Sequence, residues 1–189
     1  MSGVLLYVIG PSGSGKDSLM HFAREALATN SSVMFAHRYI TRPHNAGGEN
    51  HVELSNAEFQ SRVEHKLLPL HWNSHGLRYG IGCEVNHWLA KGLIVILNGS
   101  RAYLPQATRH YPELVPVLIE VSESVLRERL LSRGREEASE IESRLKRAGE
   151  FASLKHNRLL RFNNDAPLES TGPAFVELIR SQEKVAACD

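Results

Sequence analysis

Cysteine, long apolar runs and excess charge of one sign are all scarce in this sequence. The only two cysteines, Cys83 and Cys188, lie far apart and outside any C-x-x-C or metal-binding spacing, so a disulfide framework is not supported. The apolar run at residues 4–9 is too short for a membrane span or a signal sequence, and no basic segment precedes it. We therefore expect a cytoplasmic protein with reduced thiols.

Charge is nearly balanced, with 22 Lys and Arg against 21 Asp and Glu and a formal net charge of +1. Such a chain has no general attraction for nucleic acid or for anionic lipid, so any anion must be recognised by local clusters of arginine and lysine. We expect neither a nucleic-acid nor a membrane partner. The sequence leaves open whether the chain forms a homodimer.

What is present is an ordinary globular composition of 189 residues, 42% hydrophobic and 23% charged, which fits a single domain. Apolar runs alternate with segments of helical periodicity. The expected strands cover residues 4–9, 33–40, 93–97, 115–121 and 159–162, and the expected helices cover residues 16–27, 54–62, 122–131, 138–154 and 173–185. This alternation predicts an α/β fold with a parallel sheet and right-handed crossovers, in which ligands bind at the carboxyl edge.

A glycine-rich loop at residues 10–16 has the sequence GPSGSGK, which matches G-x-x-x-x-G-K and lies between an expected strand and an expected helix. Its glycines let backbone N–H groups face phosphates, the helix N-terminus adds positive potential, and Lys16 can neutralise β- and γ-phosphate oxygens. The alternative is a plain glycine-rich turn before a surface lysine. The context favours an ATP site formed by Gly10, Pro11, Ser12, Gly13, Ser14, Gly15, Lys16, Asp17 and Ser18.

One position departs from the motif, because Asp17 stands where Ser or Thr normally binds Mg²⁺. Since hard cations favour carboxylate oxygens, our hypothesis is that Asp17 holds Mg²⁺ directly or through water, with Ser18 in support. The alternative is that Asp17 is an acid favoured only by the dipole of the helix N-terminus.

Landmarks along nearly the whole chain resemble the guanylate kinase superfamily. Gly-Pro-Ser-Gly at 10–13 opens the phosphate loop, Tyr-Ile-Thr-Arg-Pro at 39–43 resembles the acceptor-binding segment, Tyr-Gly at 79–80 resembles the next landmark, and 129–144 resembles the arginine-rich lid. The resemblance implies a three-layer P-loop NTPase with a central, mainly parallel sheet flanked by helices. It divides a single kinase domain, residues 1–189, into a core near 1–35, 90–128 and 155–189, an acceptor-binding region near 36–89 and a lid near 129–150.

The resemblance also assigns roles to individual residues. Arg42 is expected to grip the acceptor phosphate. Asn163, with its neighbours Asn164 and Asp165, is expected to line the adenine pocket, and the alternative is that this run is an ordinary turn. The implied catalytic set around the transferring phosphoryl group is Lys16, Arg129, Arg133 and Arg144. The other arginines of this segment alternate with glutamates and are assigned to a solvated, salt-bridged helical face; they are Arg127, Arg135 and Arg147.

Departures from the guanylate kinase pattern point away from guanine. Leu70 occupies the place of the glutamate that recognises the base, and Asn-Gly-Ser-Arg at 98–101 replaces an acidic stretch after the central strand. Arg101 adds positive charge that suits a second anionic group on the substrate. The alternative is that this strand-end arginine is a plain surface residue.

The segments at 16–18, 47–51, 71–72, 76–81 and 98–101 resemble the ribose 1,5-bisphosphate phosphokinases of bacterial phosphonate breakdown, a family within that superfamily. The resemblance implies transfer of the ATP γ-phosphoryl group to the 1-phosphate of that small sugar phosphate, giving 5-phosphoribosyl 1-diphosphate and ADP. A phosphate oxygen is already ionised at neutral pH, so catalysis would need positioning and charge stabilisation rather than a general base. The expected substrate-binding residues are Arg38, Arg42, Glu49, His51, His71, Tyr79 and Arg101.

Three other functions stay open from the sequence. A nucleoside monophosphate kinase would share the fold, and a kinase that phosphorylates a hydroxyl would need a catalytic carboxylate, for which Glu49 is the candidate. A catalytically silent, guanylate-kinase-like interaction module is less favoured, because such a module has no use for Lys16.

Overall fold

The computed structural model describes residues 3–46, 49–132 and 137–188 of the chain. The strands are β1 (Val4–Ile9), β2 (Val33–Phe35), β3 (Arg38–Ile40), β4 (His51–Glu53), β5 (Leu70–Ser74), β6 (Leu77–Ile81), β7 (Ile94–Asn98), β8 (Val115–Glu120) and β9 (Leu160–Asn163). The helices are α1 (Lys16–Ala26), α2 (Asn56–Glu64), α3 (Glu84–Ala90), α4 (Leu104–His110), α5 (Glu123–Ser132), α6 (Ala138–Gly149) and α7 (Leu168–Cys188). In these described ranges, no helix is long and apolar enough to cross a membrane.

Five strands form a parallel sheet in the order β2-β7-β1-β8-β9. The central strands β1, β7 and β8 are apolar and almost wholly buried, because helices cover both faces of the sheet. One face packs Leu6 and Ile96 against α1 and α7, and the other packs Leu5 and Leu97 against α3 and α4. These three layers confirm the predicted fold class and put the loop between β1 and α1 at the carboxyl edge of the sheet.

A second sheet has the order β4-β3-β6-β5. β3 pairs with β4 in parallel and with β6 antiparallel, while β5 and β6 form a hairpin. The hairpin turn holds His75 (φ 49°) and Gly76 (φ 73°) in the left-handed region, as a type I′ turn requires. The sequence analysis missed this hairpin, because its strands are short and its turn lacks the usual Asn-Gly or Asp-Gly signal.

The prediction of a single strand at residues 33–40 is wrong, because the segment divides into β2 and β3, which belong to different sheets. The backbone N–H of Ala36 still donates to the carbonyl oxygen of Ile96 at 2.8 Å, which is the last bond to β7. The chain then changes partner, and Arg38 pairs with Ile81 of β6. A hydrophobic pattern indicates which residues are buried, but it does not indicate which strand is the partner. The change from β7 to β6 as the partner strand therefore could not be predicted from the sequence.

The helices differ from the sequence prediction mainly at their ends. α6 ends at Gly149, whereas the prediction extended to residue 154, and α7 begins at Leu168 rather than at Pro173. Proline favours the first turn of a helix, so the sequence pattern places the start of α7 too late. The sequence analysis also missed α3 and α4, which have 7 residues each and are too short to show helical periodicity.

Candidate active site

The phosphate loop, residues 10–15, connects β1 to α1 and has a backbone shape that requires its glycines. Gly13 and Gly15 have φ values of 95° and 79°, in the left-handed region that favours glycine. Gly15 is also the N-cap of α1, and a Cβ there would lie 2.5 Å from Asn164 Nδ2. The backbone conformation of Gly15 and its contact with Asn164 both exclude a side chain at this position. The curved loop therefore lies at the N-terminus of α1, and helix N-termini bind anions.

Asn164 and Arg129 bind the backbone of the phosphate loop. Asn164 is buried, and its Nδ2 donates to the Ser14 carbonyl oxygen at 2.7 Å. Arg129 donates to the same oxygen at 3.3 Å through Nη1 and to the Asn164 carbonyl oxygen at 2.8 Å through Nη2. The structure therefore places Arg129 on backbone carbonyl groups, where it positions the loop. Asn163, which is predicted to line the adenine pocket, donates through Nδ2 to Asp165 Oδ2 at 3.2 Å within its own turn.

The phosphate loop lines a cleft of about 680 Å³. The cleft brings together predicted residues from distant parts of the sequence, namely Gly10, Pro11, Ser12, Gly13, Ser14, Gly15, Lys16, Asp17, Ser18, Arg38, Tyr79, Arg101 and Arg144. It also contains residues that were absent from the predicted site, among them Trp72, Asn98, Ser100, Arg147 and Phe151. One lysine and four arginines make the cleft strongly cationic, which suits a ligand with several phosphates.

Lys16, Asp17 and Asn98 form a closed set of contacts in the cleft. Lys16 Nζ donates to Asp17 Oδ1 at 2.9 Å and to Asn98 Oδ1 at 2.7 Å, and Asn98 Nδ2 donates to Asp17 Oδ1 at 3.0 Å. Burial lowers the pKa of Lys16, and the Asp17 carboxylate opposes that shift. Burial alone would raise the pKa of Asp17, but the charge and hydrogen bond of Lys16, together with the charge of Arg38 and the hydrogen bond from Asn98, hold that pKa below its usual value. The carboxylate is therefore ionised beside the lysine at neutral pH.

Glu49 lies between the two arginines predicted to hold the acceptor. Its carboxylate accepts short hydrogen bonds from Arg38 Nε and Nη2, and Arg42 Nη2 lies 3.5 Å from Glu49 Oε2. His51 is buried, and its Nδ1 and Nε2 lie 3.0 and 3.1 Å from the carbonyl oxygens of Glu49 and Arg42. Arg42 Nε is buried and has no hydrogen-bond partner in the described part of the chain. In this cluster Arg38 and Arg42 are therefore arranged around an anion, which is the carboxylate of Glu49.

Three stacked aromatic rings support Arg38. The ring of Trp72 lies 5.6 Å from that of Tyr79 and 5.3 Å from that of Tyr103, centroid to centroid. The Arg38 guanidinium lies 5.1 Å from the Tyr79 ring, a contact that fixes the plane of its hydrogen-bonding fork. His71 is exposed while its neighbour Trp72 is buried, because adjacent side chains in a strand point to opposite faces. The structure therefore does not bring His71 into the cleft.

No protein-family model matches the chain, but curated relatives match almost all of it. The ribose 1,5-bisphosphate phosphokinase PhnN of Desulfomicrobium baculatum is 57% identical over 93% of this chain and 93% of its own length. The proteins of the same name from Thiobacillus denitrificans and Psychromonas ingrahamii are 56% and 49% identical over 94% and 95% of this chain, and 93% and 91% of their own lengths. The chain belongs to the ribose 1,5-bisphosphate phosphokinase family.

Solved structures share the fold of this phosphokinase at much lower identity. A guanylate kinase from Anaplasma phagocytophilum has a TM-score of 0.69 and 18% identity, and the match covers 96% of this chain and 87% of that chain. A gluconokinase from Sinorhizobium meliloti 1021 has a TM-score of 0.51 and 19% identity over 97% of this chain and 94% of that chain. These likenesses concern the fold alone, and the first confirms the guanylate kinase-like architecture.

The oxygen atoms in the cleft of the phosphokinase fit a hard divalent cation. Asp17 Oδ1 accepts hydrogen bonds from Lys16 and Asn98, whereas Oδ2 makes none within the described residues and the side chain is 58% exposed. Ser18 lines the same cleft. Carboxylate and hydroxyl oxygens are suitable ligands for Mg²⁺, which takes few protein ligands and binds substrate phosphates as well. Within residues 3–46, 49–132 and 137–188, no three His, Cys, Asp or Glu side chains form a metal site by themselves.

The segment predicted as the lid, near residues 129–150, includes the end of α5 and the whole of α6. These two helices share a small core made of Leu126, Leu130, Ile141 and Leu145. Arg144 Nη1 donates to Ser12 Oγ at 2.7 Å, so α6 contacts the phosphate loop. Arg127 pairs with Glu123 and Glu142 on the exposed side of the two helices. Arg147 lies in the cleft rather than only on a solvated face. Arg133 and Arg135 lie outside the described residues.

Tyr7 positions the loop that carries Arg101. Its hydroxyl donates to the Ser100 carbonyl oxygen at 3.0 Å and accepts from the Ser100 N–H at 2.9 Å. Burial raises the pKa of Tyr7, so the hydroxyl keeps its proton. Gly99 packs directly on this ring, because a Cβ there would lie 2.2 Å from Tyr7 Cε1. Arg101 in turn stacks on Phe151 at 4.6 Å. No sequence signal marks Tyr7, since a tyrosine in an apolar strand is usually a core residue.

Proposed function

We propose that this phosphokinase transfers the γ-phosphoryl group of ATP to the 1-phosphate of ribose 1,5-bisphosphate and releases 5-phosphoribosyl 1-diphosphate and ADP. A bond forms between the γ-phosphorus and a 1-phosphate oxygen, and the bond from that phosphorus to the β,γ-bridging oxygen breaks, with its electron pair leaving on ADP. The single observation that carries the proposal is the cationic cleft in which Lys16, Arg38 and Arg101 converge. The cytoplasm supplies ATP, and we place the reaction there.

The carboxylates near the cleft favour a phosphate as the acceptor. A kinase that phosphorylates a hydroxyl needs a carboxylate able to take up its proton. Glu49 is bound by Arg38 and lies beside Arg42, and Asp17 is bound by Lys16. Lys16 and its neighbours hold the pKa of Asp17 below its usual value, which makes that carboxylate a weak base, and both oxygens of Glu49 already accept hydrogen bonds from Arg38. A phosphate oxygen is already ionised, so it needs no such base.

Leu70 argues against a guanine nucleotide as the acceptor. It is 0% exposed and packs in the core between the two sheets. A buried leucine cannot accept hydrogen bonds from a purine, and a site that selects a base by hydrogen bonds needs polar groups at that place. The phosphokinase instead presents arginines, whose forked N–H groups bind phosphate oxygens in pairs.

At the donor end, Lys16 and the phosphate loop bind the ATP phosphates, and Arg144 neutralises charge that spreads over the transferred group. Asp17 and Ser18 are the residues that would hold Mg²⁺, which supplies further charge neutralisation at the β- and γ-phosphate oxygens. The resemblance implies a catalytic role for Arg129, but we assign it to positioning the loop because it binds the carbonyl oxygens of Ser14 and Asn164. We keep Arg133 as a further lid arginine of the proposed catalytic set.

At the acceptor end, Arg38 and Arg42 bind one phosphate of the substrate, and Arg101 binds the other. Tyr79 and His51 hold the two arginines of the first pair in place through the contacts described above. Positioning of this kind can supply a large part of the rate, because the reacting groups are held in line before the reaction begins. We propose that residues near 36–89 act as the acceptor-binding region and residues near 129–150 as the lid.

A coupled ADP-release assay with ATP and Mg²⁺ tests this function with four acceptors: ribose 1,5-bisphosphate, GMP, AMP and ribose 5-phosphate. We expect selective turnover of the bisphosphate and a loss of at least about a hundredfold in Lys16→Ala, because an electrostatic contact to the transferred group is removed. Preference for GMP or AMP would indicate a nucleoside monophosphate kinase. Turnover of ribose 5-phosphate would indicate a hydroxyl acceptor, and no turnover at all would favour an interaction module.

A further inference from the structure

The end of β7 carries an amide where a P-loop enzyme commonly has a carboxylate. P-loop NTPases hold Mg²⁺ through a Ser or Thr after the loop lysine and through an Asp at the end of a core strand. In this chain β7 lies beside β1, with Asn98 in register with Val8 just before the phosphate loop. The strand thus ends in Asn98, and the residue after the loop lysine is Asp17. Compared with the general pattern, position 17 has a carboxylate in place of a hydroxyl group, and position 98 has an amide in place of a carboxylate.

We propose that Asp17 and Asn98 are a reciprocal exchange: the metal-site carboxylate has moved from the end of β7 to the first turn of α1, and Asn98 is the residue that positions it. The contacts support this pairing. Asn98 uses both ends of its amide, accepting from Lys16 Nζ at 2.7 Å and donating to Asp17 Oδ1 at 3.0 Å. Because Asn98 is 5% exposed, its amide is fixed, whereas the Asp17 side chain is open to the cleft.

Electrostatics explain why the two changes occur together. A carboxylate at position 98 would lie close to Asp17 Oδ1 and also to Glu49 Oε1, which is 3.5 Å from Asn98 Nδ2, with Lys16 and Arg38 as the cations nearby. Two carboxylates that share a site repel each other, and one of them then holds a proton. An amide at position 98 avoids this repulsion and still accepts from Lys16, while its N–H donor orients the carboxylate. The exchange conserves one carboxylate, one neutral polar group and one ammonium at the site.

Mn²⁺ binding in the presence of saturating ADP, measured by the loss of the free Mn²⁺ resonance, tests the exchange. This inference rests on the proposed function only for nucleotide and metal binding, and the experiment contains no acceptor. An error about the acceptor would therefore appear in the ADP-release assay and not here. The variants are Asp17→Ser, Asn98→Ala, the double variant Asp17→Ser/Asn98→Asp and a charge-matched control, Asp17→Ser/Ser74→Asp, which returns a carboxylate to the same cleft.

We expect Asp17→Ser and Asn98→Ala each to weaken Mn²⁺ binding by about tenfold or more. Asp17→Ser/Asn98→Asp should regain most of the lost affinity, and Asp17→Ser/Ser74→Asp should not. A double variant no better than Asp17→Ser would overturn the exchange, as would equal recovery in the control, which would show an effect of net charge alone. Unchanged Mn²⁺ binding in Asn98→Ala would overturn its positioning role. Thermal unfolding identifies any misfolded protein, for which Asp17→Asn and Asn98→Ser are the substitutes.

Discussion

Glu49 has the surroundings of a bound phosphate. Its side chain is 13% exposed, and those of Arg38 and Arg42 are 14% and 24% exposed, so the three charges are largely shielded from water. Loss of one partner from such a pair leaves the other charge without compensation. The two arginines also have a reason to accept an external anion, because Arg42 Nε has no hydrogen-bond partner in the described residues.

We predict that Glu49→Gln destabilises the fold by about 1–3 kcal/mol, because both arginines lose their counter-ion. Inorganic phosphate should stabilise this variant more than it stabilises the native protein, since the anion takes the place of the carboxylate. Thermal unfolding with and without phosphate measures both effects. The matched control is Glu58→Gln, which breaks the exposed pair with Arg62 and should change stability by less than about 1 kcal/mol. Equal stabilisation of native and Glu49→Gln protein by phosphate would contradict the prediction.

The helix pair α5 and α6 contains most of the segment that we propose as the lid. It has its own small core, separate from the two cores that cover the sheet. Polar contacts join it to the site: Arg144 binds Ser12 of the phosphate loop, and Glu150 at the end of α6 pairs with Arg101. Each contact therefore connects the proposed lid to a segment that we assign to substrate binding. Closure would exclude water from the activated phosphoryl group.

We predict that Arg144→Ala lowers kcat by about a hundredfold, because a cation is removed from the transferred group. Arg127→Ala is the matched control, since this arginine lies on the same helix pair but binds only Glu123 and Glu142 on the exposed side. Its kcat should stay close to the native value. Steady-state kinetics with saturating ATP and acceptor measure both. Similar losses in the two variants would mean that the lid acts through its fold and not through the charge of Arg144.

At the scale of the whole molecule, several histidines make stability depend on pH. Partial removal from water lowers the pKa of three of them from the usual 6.5, with help from nearby arginines, and His71 is the most exposed of the three; they are His37, His71 and His156. Near the usual histidine pKa, the unfolded chain therefore binds more protons than the folded chain does. Stability then rises with pH, so the contribution present above 6.5 is lost as pH falls through that value towards the folded-state pKa.

We predict that the melting temperature falls as pH is lowered from about 7.5 to 5.5, a range in which carboxylates stay largely ionised. A triple variant with glutamine at the three histidine positions should have a shallower dependence, because the groups that take up protons on unfolding are gone. Thermal unfolding at several pH values in one buffer of constant ionic strength measures the slope. The same slope in native and triple-variant protein would show that other groups dominate.

Local patterns predicted the donor half of the phosphokinase. The phosphate loop and Lys16 follow from a contiguous motif, and β1, β7 and β8 follow from apolar runs, because strands covered on both faces must be apolar throughout. The same patterns could not assign partners. They joined β2 and β3 into one strand and did not predict the hairpin at Gly76.

The sequence by itself determined that this protein binds nucleotide phosphates and belongs in an α/β fold, since both depend on residues adjacent in the chain. Only the tertiary structure decided how the remaining charges are paired. Asn98 reaches Lys16 and Tyr7 reaches Ser100 because β1 and β7 are neighbours in one sheet, and Glu49 reaches Arg38 because β3 and β4 are neighbours in the other. Apart from Lys16, these residues lie outside the phosphate-loop motif. Their partners can be assigned only once the fold shows which groups lie within hydrogen-bond distance of each other.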